Sequence, residues 1–306
     1  MIIERGDILA SVVALGNFDG LHKGHMSVIN AAIDMAKELH AIPFALVFKE
    51  HPLTVLTGET PSCIFDKETR AAAFKKAGIT LCLLDFKELC DMSPEKFFNE
   101  IIIKRMGAVG VCCGFNYSFG KDGRGTPELL KRFCESNGIA FSMSEELDFE
   151  GEAISSSRIR TCIENGEIEK ANAMLGHPYS FKLPVVDGAK RGRHIGAPTI
   201  NQALEEGLIV PKYGVYMSKT TVDNMSFLSI TNIGIRPTIH DDNIPSIETF
   251  ILDFDGDLYG KYVEVSLLRF IRPEKKFDSL VQLETQIKAD ERKVRKLAEA
   301  AINRKR

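Results

Sequence analysis

The sequence predicts an α/β domain with a mostly parallel sheet, followed by an antiparallel β-barrel and a C-terminal helix. In the first half of the chain, short apolar runs alternate with segments of helical periodicity, which is typical of a parallel sheet covered by helices. In the second half, β-rich segments follow one another with turn residues and no helix between them, which favours an antiparallel barrel or sandwich. The chain has 306 residues, and one hydrophobic core rarely grows beyond roughly 250–300 residues, so we expect two domains.

The first half contains candidate strands with helices between them. Asp66 is expected to cap a helix that Gly78 ends, because an aspartate accepts from free backbone N–H groups and a glycine closes many helices. Ser93 and Thr126 each precede a proline and a glutamate, which together are a strong signal for a helix start. The candidate strands are the apolar runs at residues 8–16, 42–48, 79–86, 108–114 and 139–145.

The pattern changes near residue 175. Residues 176–184 carry two prolines and one glycine, and we interpret them as a linker. We therefore predict one domain over residues 1–178 and a second over residues 183–306. Apolar residues at helical spacing between Leu280 and Ala301 predict the closing helix. The strand candidates of the second domain are residues 213–222, 225–234, 247–254 and 262–271.

Composition narrows the class of protein. The net charge of -3 gives no reason to expect a nucleic-acid partner, which would favour a basic face. The seven cysteines include no C-x-x-C pair, which argues against a disulfide framework or a structural zinc site and favours a reducing compartment. No stretch reaches the roughly 18 apolar residues of a membrane span, and the first ten residues do not resemble a signal peptide. We expect a cytoplasmic protein without a membrane partner.

The segment GNFDGLHKGH, residues 16–25, predicts a phosphate-binding site. It lies where a buried strand ends and a helix begins, and ligands of open parallel sheets bind at that edge. The helix N-terminus offers unpaired N–H groups and partial positive charge to an anion. His22 and His25 are three residues apart, so in a first helical turn they share a face. Metal binding by this histidine pair is an alternative, but no further ligand stands at a convincing spacing.

Three segments of the first half carry a family resemblance. The H-x-G-H element is similar to that of the nucleotidylyltransferase superfamily, and the longer G-N-F-D-G-x-H-x-G-H resembles the prokaryotic bifunctional riboflavin kinase/FAD synthetase family. GFNYSFGKDGRG (residues 114–125) and ISSSRIR (residues 154–160) resemble two further motifs of that family. The resemblance implies a Rossmann-like nucleotidyltransferase domain followed by a riboflavin-kinase β-barrel with a C-terminal helix.

The resemblance implies that the first domain transfers the adenylyl group of ATP to FMN and releases pyrophosphate. FMN is then the nucleophile, so the protein needs to orient two polyanions and stabilise charge in the transition state. His22 and His25 are the implied catalytic residues. The implied contacts to ATP and its phosphates are Gly16, Asn17, Phe18, Asp19, Gly24, Asn116, Ser156, Ser157, Arg158 and Arg160.

RGRHIGAPTIN, residues 191–201, resembles the riboflavin kinase motif G-x-P-T-A-N. The resemblance implies that Thr199 and Asn201 hold Mg²⁺, which prefers oxygen ligands, and that Gly196 and Pro198 contact ATP. It also implies that Glu248 is the general base that takes a proton from the ribityl hydroxyl of riboflavin. Later segments with family counterparts include NIGIRPTI (residues 232–239) and FIRPEKKF (residues 270–277), where Arg272 is an implied flavin ligand.

The chain departs from the family pattern at two positions. Glu50 replaces a proline of F-x-P-H-P, and Ile200 replaces the alanine of G-x-P-T-A-N. Two alternatives follow from reading the motifs separately: a different cytidylyl- or adenylyltransferase, or a flavin-binding regulator whose kinase half has lost activity. The expected substrates are riboflavin, FMN and ATP, with Mg²⁺ as cofactor, and the sequence leaves the oligomeric state open.

Overall fold

The computed structural model describes residues 10–187, 198–235 and 245–303, and the chain divides into two units. The first unit comprises Met1–Cys63 and Arg70–Ser156, and the second comprises Ile64–Thr69 and Ser157–Arg306. Within the described residues, no helix is both long enough and apolar enough to span a membrane.

The first unit is built on a five-stranded parallel sheet, as the sequence predicts. Its spatial order is β3-β2-β1-β4-β5, and β1 at the centre is buried along its whole length. Because the chain moves outward from β1 in one direction and then from β4 in the other, a crevice opens between the ends of these two strands. The strands are β1 (Ser11–Leu15), β2 (Ile42–Phe48), β3 (Thr80–Leu84), β4 (Ala108–Gly114) and β5 (Ala140–Ser144).

Helices connect these strands, and the predicted caps are confirmed. Thr69 donates its N–H to Asp66 Oδ1 at 2.8 Å, Lys96 donates to Ser93 Oγ at 3.2 Å, and Leu129 donates to Thr126 Oγ1 at 3.3 Å. The helices are α1 (Lys23–Glu38), α2 (Pro52–Thr57), α3 (Lys67–Ala77), α4 (Pro94–Phe97), which continues as a π-helix (Phe98–Arg105), and α5 (Pro127–Ser136). A short hairpin follows, made of β6 (Asp148–Phe149) and β7 (Glu152–Ala153).

Within its described residues, the second unit contains a curled six-stranded antiparallel sheet and helices, which confirms the predicted barrel and closing helix. The sheet order is β8-β13-β10-β11-β12-β9. Helix α8 lies on the outer face, where Val294 packs with Val215, Met217 and Ile271. The elements are α6 (Ser156–Glu164), α7 (Ile168–Leu175), β8 (Tyr179–Pro184), β9 (Thr199–Ala203), β10 (Gly214–Val222), β11 (Met225–Ile235), β12 (Pro245–Ile251), β13 (Tyr262–Arg272) and α8 (Leu280–Asn303).

The two edges of this sheet approach each other and nearly close the barrel. Val186, just after β8, donates its N–H to the carbonyl of Asn201 at 2.8 Å. The buried Gln202 side chain donates to the carbonyls of Leu183 and Val263, at 2.8 and 2.9 Å. The barrel interior also holds a hydrogen-bonded chain of fully buried hydroxyls, formed by Thr220, Ser229, Ser218, Thr231 and Thr249. Because every member of the chain has a partner, the barrel tolerates these polar groups in its core.

The linker interpretation of residues 176–184 is wrong for most of that segment, because Tyr179–Pro184 forms β8 and pairs with β13. Helix α7 is tied to the same sheet. The Asn172 side chain donates to the carbonyl of Leu267 at 2.9 Å and accepts the N–H of Tyr179 at 2.7 Å. The functional domain boundary at residues 178–183 stays a prediction.

Candidate active sites

The glycine-rich turn after β1 is held in a left-handed conformation. Phe18 has a φ of 50° and its side chain is buried. A Cβ atom at Gly16 would stand 2.9 Å from the Phe18 ring, which is too close, so this turn needs a glycine there. Phe18 packs edge-on against Phe74 and His25, with ring centroids 6.2 and 5.4 Å away. The turn thus places an aromatic ring against His25.

His22 and His25 meet at the start of α1. His22 is the N-cap, and its Nδ1 accepts the N–H of His25 at 3.3 Å. The two imidazole rings stack with centroids 3.6 Å apart and an interplanar angle of 18°. The prediction that both histidines lie on one face is therefore confirmed. Both line the same cavity, beside the positive end of the α1 dipole.

That cavity has a volume of about 750 Å³ and opens at the carboxyl ends of β1, β4 and β5. Ligand sites typically enclose roughly 300–1,000 Å³, so the cavity has room for a nucleotide-sized molecule. The predicted contact residues that line it, together with the histidine pair, are Gly16, Asn17, Phe18, Gly24, Asn116 and Ser156. Ser156 Oγ also donates to the carbonyl of Asp19 at 3.0 Å. Ser157, Arg158 and Arg160 follow on α6 in the second unit, and their role stays a prediction.

Aromatic side chains line much of the cavity, and of these only Phe18 is among the contacts that the sequence implied. Phe48 and Phe86 pack edge-on at 5.0 Å, and Tyr117 stacks on Phe119 at 5.9 Å and 14°. Burial raises the pKa of the Tyr117 hydroxyl above its usual value, so this group stays neutral. The aromatic lining consists of Phe18, Phe48, Phe86, Phe97, Phe115, Tyr117 and Phe119. A flat, apolar ring system fits such a wall.

The glycines of residues 114–125 have steric reasons for their positions. Phe119 and Gly125 pair across the loop, and a Cβ at Gly125 would lie 2.6 Å from the Phe119 ring. Gly120 has a φ of 71°, and a Cβ there would lie 2.8 Å from the nitrogen of Pro94. The loop therefore closes tightly and directs aromatic side chains toward the cavity.

Arg70 is a second feature that the sequence did not reveal. It lies near Asp19 in the first unit and is half-buried. Burial lowers the pKa of its guanidinium, and the Asp19 carboxylate acts in the opposite direction. A positive charge is thus held close to the glycine-rich turn.

Glu50, which departs from the family pattern, precedes the helix α2 in an exposed loop. Glu50 forms an exposed ion pair with Lys87 at 3.4 Å. His51 caps α2 by accepting the N–H of Leu53 on Nδ1 at 3.2 Å, and Pro52 is the first helical residue. Pro52 and Leu56 line the cavity.

The second candidate site is a row of side chains across three strands. On β12, Glu248 pairs with Asn201 of β9 on one side and with Asn232 of β11 on the other. Directly paired residues of antiparallel strands share a face, and so do residues two apart on one strand, so Thr199 lies on that face as well. The register thus brings together the residues implied for Mg²⁺ and for the general base. Pro198 is exposed just before β9, and Gly196 lies outside the described residues.

Arg272, at the end of β13, is engaged by the closing helix. Its guanidinium donates to both carboxylate oxygens of Asp290, at distances from 2.8 to 3.1 Å. Nη1 donates to the carbonyl of Pro273 at 3.0 Å, and Gln286 also donates to Asp290. Here Arg272 anchors α8 to the sheet, and its role as a flavin ligand stays a prediction.

Comparisons with known proteins cover both halves of the chain. The FAD synthetase family model matches residues 6–158, and the riboflavin kinase family model matches residues 175–298. A bifunctional riboflavin kinase/FMN adenylyltransferase from Listeria monocytogenes is 35% identical over 93% of this chain and 91% of its own length. The relative of the same name from Bacillus subtilis is 36% identical over 92% of this chain and 90% of its own.

A solved structure from Streptococcus pneumoniae is described as a macrolide-efflux protein. It has a TM-score of 0.85 and 34% identity, and the match covers 95% of both chains, so the two share their fold. The matches over both halves, with two relatives above 30% identity along nearly their whole length, establish that this chain belongs to the bifunctional riboflavin kinase/FMN adenylyltransferase family.

Proposed function

We propose that this chain phosphorylates riboflavin to FMN with ATP, and adenylylates FMN with a second ATP to form FAD and pyrophosphate. The proposal rests on the observation that each unit contains its own cluster of candidate catalytic side chains. The first holds the stacked pair His22 and His25 above an aromatic cavity, and the second holds the row of Asn201, Glu248 and Asn232. We propose that the two reactions occur at these separate sites.

In the adenylyl transfer, a phosphate oxygen of FMN attacks the α-phosphorus of ATP, and the bond to the β-phosphate oxygen breaks as pyrophosphate leaves. The aromatic wall with Phe48 and Tyr117 holds the isoalloxazine ring. The amide groups at the start of α1 and the two histidines face the phosphates. Enzymes typically lower a barrier by roughly 8–23 kcal/mol, and a helix dipole contributes about 0.3–2 kcal/mol. Alignment and the histidines must therefore supply much of the remainder.

Further cations support the same reaction. Arg70 places positive charge beside Asp19 within the first unit. We propose that Ser157, Arg158 and Arg160 bind phosphate oxygens of ATP, because serine hydroxyls and a guanidinium fork match the geometry of an anion. Their position at the start of α6, directly after the cavity-lining Ser156, supports this role.

In the kinase reaction, the Glu248 carboxylate accepts the proton of the ribityl 5′-hydroxyl as that oxygen attacks the γ-phosphorus of ATP. The bond to the β-phosphate oxygen then breaks and ADP leaves. The hydroxyl of Thr199 and the amide oxygen of Asn201 are hard donors on the same face, which suits Mg²⁺. When bound, this ion neutralises charge on the transferring phosphoryl group. We propose that Gly196 and Pro198, directly before these donors, contact the nucleotide.

We further propose that the protein works in the cytoplasm. The seven cysteines all lie in the described residues, and none of them forms a disulfide. Burial raises the pKa of Cys112 and Cys113 to about 12, so they stay protonated at neutral pH. This pattern suits a reducing compartment.

The test is to incubate the purified chain with riboflavin, ATP and Mg²⁺, and to separate the flavins by chromatography. We expect FMN to appear first and FAD to follow, and we expect FAD without a lag when FMN is supplied. Formation of FAD from supplied FMN with no FMN from riboflavin would support the regulator alternative for the kinase half. Failure of both reactions in the folded protein would overturn the proposal.

A further inference from the structure

Glu248 stands between two asparagines on its sheet face. Asn232 of β11 is its direct partner on one side, and Asn201 of β9 is its partner on the other. Directly opposed side chains have Cβ atoms about 4.5–5.5 Å apart, which is within reach of an amide and a carboxylate. Of the two amides, Asn201 has an implied task at the metal, and Asn232 has none so far.

Asparagine is unfavourable in a strand interior, because its side chain competes for backbone hydrogen bonds. Asn232 is half-buried in the middle of an eleven-residue strand, β11. Its neighbour across β10 is the apolar Val215. Its amide therefore has Glu248 as its polar neighbour along the row, which argues for a task at that carboxylate.

Three charged side chains of the described residues also lie near this row. A Cβ at Gly234, two residues beyond Asn232, would lie 1.9 Å from Glu274 Oε1, so this carboxylate lies over the neighbouring position of the same face. Arg272, at the other end of the row, is occupied by Asp290 of α8. Lys293 of α8 donates to the carbonyl of Ile271.

We propose that Asn232 is a positioning residue of the kinase reaction, whose amide group orients the Glu248 carboxylate toward the ribityl hydroxyl. The inference rests on the proposed role of Glu248 as the general base. An amide N–H can hold one carboxylate oxygen while the other accepts the substrate proton. A neutral neighbour also avoids the repulsion that a second carboxylate would create there.

The test compares four variants of the full chain in separate kinase and adenylylation assays. Asn232→Ala should lower kcat for FMN formation by roughly 10- to 100-fold, the scale of a lost hydrogen bond to a charged group, while KM for ATP changes little. Asn232→Asp has the same shape and places a like charge opposite Glu248. It should move the acidic limb of the kinase pH profile upward by about one unit. Asn224→Asp, the same change at an exposed turn of the β10–β11 hairpin, should leave kinetics and pH profile unchanged.

Formation of FAD from supplied FMN reports folding in each sample, and it should stay at the parental rate. Parental kinase kinetics in Asn232→Ala, or a parental pH profile in Asn232→Asp, would overturn the inference. Glu248→Gln separates this failure from that of the proposed function. If Glu248→Gln is inactive as a kinase while both Asn232 variants behave like the parent, only the positioning role is wrong. If Glu248→Gln phosphorylates riboflavin normally, the base assignment fails and the inference falls with it.

Discussion

Small steric details at single residues determine the geometry of the first site. Gly16 leaves room for the Phe18 ring, and the left-handed Phe18 directs the chain into α1. Residues in sparsely populated backbone regions often occur at functional sites, because the surrounding structure holds them there. The stacked histidines then begin the helix in contact with that ring. The sequence indicated the histidines through their spacing, but the support from Phe18 required the structure.

His25 is the residue whose loss should separate the two activities. His25→Ala should reduce FAD formation from FMN by at least ~10²-fold, the scale of removing one preorganised donor from a site of charge development. Steady-state rates with FMN and ATP measure this effect. FMN formation from riboflavin should be unchanged, because the kinase row lies in the other unit. An equal loss of both activities would indicate misfolding, and undiminished FAD synthesis would remove His25 from the mechanism.

At the scale of elements, the sequence predicted the strands and helices that a local pattern of apolar residues determines. β1 and β4 are short continuous apolar runs, and both are buried strands at the centre of the sheet. β8 was missed because its flanking prolines and glycine are typical of linkers, whereas Pro184 only ends the strand. The short α2 was also missed, because its six residues are too few to show a clear period. The helix that begins after Ser93 was predicted, but its continuation as a π-helix was not.

A buried ion pair contributes to the attachment of α8, besides the apolar packing of Val294. Asp290 and Arg272 have side-chain exposures of 6% and 21%, and removing one charge leaves the other uncompensated. Asp290→Asn should therefore lower the free energy of unfolding by about 3 kcal/mol. Urea denaturation of the full chain, followed by circular dichroism, measures this change.

Glu284→Gln on the same helix is the matched control. Its partner Lys288 is 65% exposed, and such surface pairs contribute about 0–1 kcal/mol. The two variants should thus differ clearly in their urea midpoints. Equal midpoints for the two variants would mean that α8 does not depend on the Arg272–Asp290 pair.

At the scale of the whole molecule, the register of the strands brings together residues whose proximity cannot be inferred from their spacing in the sequence. Asn201 and Glu248 are far apart in the sequence, and only the pairing of β9 with β12 brings them side by side. Read alone, the sequence offered Glu248 as a strand residue, and the family resemblance alone implied its task. The hydroxyl chain inside the barrel was likewise hidden, because serine and threonine at interior positions blur the usual alternation of apolar and polar residues.

The position of the boundary between the domains can be tested by expressing fragments that begin at different residues. We expect residues 157–306 to convert riboflavin to FMN without forming FAD, because they include α7 and all of β8. Residues 183–306 lose the bonds of Asn172 to Leu267 and Tyr179, and cut β8 near its end. That shorter fragment should be less stable, as thermal melting would show. A shorter fragment that is as stable and active as the longer one would place the functional boundary at residue 183.

We propose that two independent sites act in sequence through FMN. Mixing His25→Ala with Glu248→Gln and supplying riboflavin, ATP and Mg²⁺ tests this sequence of reactions most directly. Alone, the first variant should stop at FMN, and the second should leave riboflavin largely unconverted, since losing a general base typically costs about 10²–10⁴-fold. The mixture should form FAD, because FMN released by one variant is the substrate of the other. If each variant retains its expected single activity but the mixture forms no FAD, FMN does not pass between separate sites and the claim is contradicted.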